Sequence, residues 1–75
     1  MAYIITDVDG TLTTTGDRPN LAYLDWLKSQ INDFGTKIIV VSARPVSRLA
    51  ETEAWLKEYF IPAEEVYLND FPGAG

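Results

Sequence analysis

Seventy-five residues, with two Trp, four Tyr and three Phe among them, make one domain near the lower limit at which a hydrophobic core alone holds a fold. The absence of cysteine and histidine excludes disulfides, thiolate chemistry, zinc sites of the Cys/His kind and a histidine general base. A net charge of −5 argues against a nucleic-acid groove, which needs clustered Lys and Arg, and suits a divalent cation held by carboxylates. No apolar run approaches membrane-spanning length, and the opening residues lack the basic flank of a signal peptide. A cytoplasmic protein is the default expectation.

In chain order, Tyr3 to Val8 reads as a strand, rich in β-branched and aromatic residues and closed by an Asp/Gly cluster. Gly10 to Pro19 reads as a turn and loop, with a small hairpin at its tip. A helix is predicted from Asn20 to Phe34. Asn20 is placed to cap it, and Gly35 stands where a left-handed residue ends a helix. Leu24, Leu27, Ile31 and Phe34 recur every three or four residues and form its buried stripe. Lys37 to Ser42 is a second strand whose unbroken apolar run predicts cover on both faces. Pro45 and Ser47 open a second helix reaching about Phe60, with Leu49, Leu56 and Phe60 toward the core, and Pro62 ends it. Glu65 to Asn69 is a short third strand, and residues 72–75 form a loose tail. A β-α-β-α-β order with right-handed crossovers predicts one α/β domain over residues 1–75, its three-stranded parallel sheet ordered third, second, first.

Ligands of open parallel sheets bind beyond the C-terminal strand ends. Those ends carry Asp7 and Asp9, then Ser42 and Arg44, then Asn69 and Asp70. Asp7 and Asp9, two apart, share a face of an extended chain, and Gly10 permits a sharp turn after them. Two carboxylates on one rim repel each other, and a hard cation relieves that cost. The same Asp-x-Asp-Gly is also ordinary turn chemistry, so both readings stand at this point. A calcium loop does not fit, because glycine falls at the fourth position and no Glu stands at the twelfth. Ser42, beside the free N–H groups of a helix start, suits a phosphate-sized anion. Arg44 and Arg48 lie where a cation needs a negative neighbour, either a phosphate or the Asp7/Asp9 pair.

Asp7-Val8-Asp9-Gly10-Thr11-Leu12-Thr13 resembles the first signature of the haloacid dehalogenase superfamily, hhhhDxDGT, and Val40-Val41-Ser42-Ala43-Arg44-Pro45 resembles the second. The combination is also similar to the phosphatase domains of phage polynucleotide kinase-phosphatases. The resemblance implies a three-layer, Rossmann-like fold and a magnesium-dependent phosphatase. In it Asp7 is the nucleophile forming an aspartyl-phosphate and a Mg2+ ligand. Asp9 protonates the leaving group, activates water and adds its carbonyl to the metal. Thr11 fixes the turn, Ser42 bonds the phosphoryl group, and Gly10 and Arg44 lie against the substrate.

The family also needs a lysine and further acids. Lys37 stands at the wrong sheet end, and Lys28 and Lys57 lie on the order of 12–18 Å down their helices. Asp70 lies two strands from the first, roughly 10 Å away at about 4.8 Å per strand. A minimal enzyme, a catalytically incomplete binding or assembly module, and a fragment of a longer phosphatase are therefore all consistent with the sequence. The first strand is an apolar edge, which predicts a homodimer through it.

Overall fold

The computed structural model describes residues 2–68. The elements run β1 (Tyr3–Thr6), α1 (Leu21–Phe34), β2 (Lys37–Ser42), α2 (Leu49–Glu58) and β3 (Ala63–Leu68), with a short 3-10 turn at Val46–Arg48 before α2. All strand pairs are parallel and β2 is central, between β1 and β3.

Local chemistry accounts for the boundaries of α1. The Asn20 side-chain oxygen accepts the Tyr23 N–H at its start. Gly35 closes it at φ 64°, its N–H bonded to the Ile31 carbonyl at 2.9 Å. The end of α2 departs from expectation. Phe60 lies past the helix at φ 59°, a left-handed conformation usually taken by glycine, and is 79% exposed. The backbone turns there so that the Ile61 N–H bonds to the Leu56 carbonyl, and Ile61 enters the core in place of Phe60. Phe34, expected inside, is 70% exposed in the last turn of α1.

The core is one cluster of Val8, Leu12, Leu24, Leu27, Ile38, Val40, Leu56 and Ile61. Leu24 and Leu27 from α1 and Leu56 from α2 thus meet the same face of β2, the face of Ile38 and Val40. The other face, with Tyr3, Ile5, Val41 and Tyr67, is exposed. This corrects the expectation of cover on both sides of β2. Two crossovers of the same hand that step in the same direction across a sheet place both helices on one face. The described residues therefore form two layers, and the run Ile38-Ile39-Val40-Val41 alternates in burial despite its uniform composition.

Candidate active site

Asp7 directly follows β1 with extended backbone, and one of its carboxylate oxygens accepts the Val8 N–H at 2.7 Å. The chain then makes a wide turn over Val8–Leu12, closed by the Thr13 N–H on the Val8 carbonyl at 3.0 Å. Gly10 sits in it at φ 81°, where a side chain would be strained. Thr13, buried, ties the turn from within. Its hydroxyl donates to the Val8 carbonyl and accepts from the Gly10 N–H, both at 3.3 Å. Thr11 contributes its backbone carbonyl, which accepts from Asn20 Nδ2 at 3.1 Å. The side chain that fixes the turn is thus Thr13, two residues beyond the one expected, and the Gly10 N–H is already bonded within the protein.

Ser42 is buried at the end of β2, and its Oγ accepts the Arg44 N–H at 3.1 Å. A hydroxyl with that acceptor role filled keeps its proton to donate. Asp7, Ser42, Thr6 and Ala43 line an open pocket of about 450 Å3 between the ends of β1 and β2. These are the two strands whose C-terminal ends carry the sequence motifs.

Arg44 does not stand free on this rim. Its Nε donates to Asp9 Oδ2 at 3.0 Å and its Nη2 to Asp9 Oδ1 at 2.9 Å, a two-pronged pair. Nη2 also donates to Asp17 at 3.2 Å, and Nη1 to Thr52 Oγ1 at 3.1 Å. The Arg44 side chain is 4% exposed, four of its five N–H donors are bonded to protein oxygens, and the Glu51 carboxylate lies 4.0 Å from Nη1. With so little of the side chain exposed, contact with a substrate requires that a covering partner move aside. The hydrogen bond from Arg44, together with its positive charge and that of Arg48, holds Asp9 below the usual carboxylate range against the opposing effect of burial. Asp9 in turn raises the pKa of Arg44. Thr52 and Asp17 had no distinctive motif around them. Both are recognisable only once α2 and the loop are folded against Arg44.

Among the described residues no group of three or more acids, His or Cys is placed to hold a metal. The donors present at the turn are the Asp7 carboxylate and the Asp9 backbone carbonyl, since the Asp9 carboxylate is bound by Arg44. One carboxylate with a carbonyl and water fits the habit of Mg2+, which keeps several waters and takes few protein ligands. Lys37 pairs with Glu64 at 3.4 Å at the far end of the sheet, and Lys28 lies over the Phe60 ring. Asn69 and Asp70 lie outside the described residues.

The fold and the motif-bearing strand ends define a small α/β domain with a carboxylate-and-hydroxyl site on its sheet edge. Neither a family model nor a curated protein sequence matches the chain. A chain in the structure of a Pnkp1/Rnl/Hen1 complex is similar to it, with a TM-score of 0.80 and 27% identity. The match covers 99% of this chain and 29% of that one, so the chain spans less than a third of that neighbour.

Proposed function

We propose that this domain is a magnesium-dependent phosphohydrolase of the haloacid dehalogenase type, with Asp7 as nucleophile. The observation that carries the reading is the pairing of an exposed Asp7 carboxylate with the buried Ser42 hydroxyl across one pocket. The likeness to a chain of the Pnkp1/Rnl/Hen1 complex supports it, because the two motifs independently resemble polynucleotide kinase-phosphatase phosphatase domains. In the proposed reaction an Asp7 oxygen attacks phosphorus in line as the ester P–O bond breaks, giving an aspartyl-phosphate. Ser42 donates a hydrogen bond to a phosphoryl oxygen. Asp9, held ionised by Arg44 in the resting site, must first take a proton from solvent against that hold, and it then gives that proton to the departing alkoxide. As a carboxylate it then takes one from the water that attacks phosphorus and frees Asp7. Mg2+ bound by Asp7 and the Asp9 carbonyl would supply positive charge against the phosphoryl oxygens. Arg44 sets the orientation and charge of Asp9. The test is phosphate release from p-nitrophenyl phosphate. Hydrolysis that needs Mg2+ and stops with a chelator is expected, and equal hydrolysis with and without chelator contradicts the reading.

A second reading is favoured by one observation. Among the described residues no third acid joins Asp7 and Asp9 in a group placed to hold a metal. In that reading the domain is catalytically incomplete and binds or assembles with a partner. No hydrolysis under any metal condition, with Mg2+ still shifting the melting temperature, would favour it.

We also infer that the partners are a phosphorylated substrate and a second copy of the chain, joined through β1. The β1 edge, Tyr-Ile-Ile-Thr, carries no charge, whereas the opposite edge strand carries Glu64 and Glu65. Charge guards β3 against edge pairing and leaves β1 open to it.

A further inference from the structure

The loop between the turn and α1 closes as a small hairpin. Thr13 and Pro19 bridge its base, and the Thr14 N–H bonds to the Arg18 carbonyl at 2.9 Å. One residue of this hairpin, Asp17, reaches both Arg44 and α2. Its backbone carbonyl accepts the Trp55 indole N–H at 2.9 Å, and its carboxylate accepts from Arg44 Nη2 at 3.2 Å.

The partners of Arg44 hold it unequally. Asp9 takes two donors in a chelate, whereas Asp17 takes a single, longer bond with its own side chain 59% exposed. Exposed single pairs stabilise little, and chelated ones resist exchange. Glu51 lies 4.0 Å from Nη1 without a hydrogen bond, so among the hydrogen-bonded acids Asp17 is the one that an incoming anion at Nη2 displaces, and Asp9 is the one that stays. With its partners in place the Arg44 side chain is 4% exposed, so an anion reaches Nη2 by exchange with an acid that covers it.

We propose that Asp17 is an internal competitor for phosphate, its carboxylate occupying on Arg44 Nη2 the place taken by an anionic oxygen of the substrate. Its displacement frees the hairpin from α2, with Trp55 as the second half of the latch. This rests on the reading of the pocket as a phosphate site. It makes Asp17 and Trp55 positioning residues that set affinity for dianionic monoesters.

The test uses Trp55 as its own reporter, in a Trp26→Phe background so that one indole remains. Inorganic phosphate with Mg2+ is titrated while Trp55 emission is read, and affinity is measured by calorimetry. Phosphate should shift the emission toward that of the ligand-free Asp17→Ala protein. Asp17→Ala should bind phosphate about two- to fivefold more tightly, the worth of an exposed pair. With Trp26 retained, Trp55→Phe, which changes no charge, should also bind it more tightly in calorimetry. Tighter binding by Asp17→Ala with wild-type affinity in Trp55→Phe means simple charge removal and overturns the latch. Phosphate binding with unchanged Trp55 emission overturns it as well. Absence of phosphate binding in every form contradicts the phosphate site itself, and the competition with it.

Discussion

Arg44 hydrogen-bonds two acids and a hydroxyl at once, with a third acid, Glu51, at 4.0 Å, and the cost of removing it depends on which partner is left behind. Arg44→Ala leaves Asp9 without its chelate and Thr52 buried without its bond to Nη1. The expected loss is about 1–2 kcal/mol in urea unfolding, less than for a fully buried pair because Asp9 is more than half exposed. Arg44→Lys should recover little of it, since an ammonium lacks the planar fork that meets both Asp9 oxygens. The pH dependence has a definite sign. The folded-state pKa of Asp9 is depressed, so the stability from its pairing is present above the usual carboxylate range and lost as pH falls through the lowered value. Acid unfolding of Arg44→Ala should accordingly show a shallower dependence on pH below about pH 4 than the wild type. An unchanged slope would mean that Asp9 is not held by Arg44 in solution.

Asn20 and Gly35 show what an element takes from single residues, and both ends of α1 were legible because capping chemistry is local. Asn20 also ties α1 to the turn, accepting from Tyr23 and donating to the Thr11 carbonyl. Asn20→Ala should cost about 1 kcal/mol of stability by thermal melting. The end of α2 obeys a different rule. Phe60 holds a left-handed backbone with its ring mostly in solvent, so Phe60→Gly should stabilise the fold by about 1 kcal/mol. A destabilised Phe60→Gly would show that contact with Lys28 outweighs the backbone strain. The sequence placed Phe60 in the core because it continues the apolar spacing of Leu56. Helical period cannot reveal that the helix has ended two residues earlier. For the same reason Thr52, a polar residue on the buried side of α2, stayed hidden until Arg44 gave it a partner.

At the scale of the whole molecule, β1, β2 and β3 and the two crossover helices were readable from hydrophobic runs and breaks. The sidedness was not. Uniform apolar strands suggest two covered faces, yet both helices share one, and Tyr3, Ile5, Val41 and Tyr67 remain exposed on the other. The motif residues Asp7 and Ser42 came together as expected because adjacent parallel strands bring their C-terminal ends side by side. The Arg44–Asp9 chelate was legible only as one of two possible partners for a cation at a helix start. The open edge of β1 sets an assembly prediction: sedimentation at tens of micromolar should show a dimer, and Ile5→Lys should shift it to monomer. A wild-type monomer under those conditions would contradict pairing through β1.

Asp7 is the group on which the phosphatase reading turns, and replacing it with asparagine tests that reading with least disturbance. Asparagine keeps an oxygen for the Val8 N–H and so preserves the turn. Hydrolysis of p-nitrophenyl phosphate in Mg2+ should fall to background in a folded Asp7→Asn protein. Turnover in that variant equal to the wild type would contradict Asp7 as the attacking group.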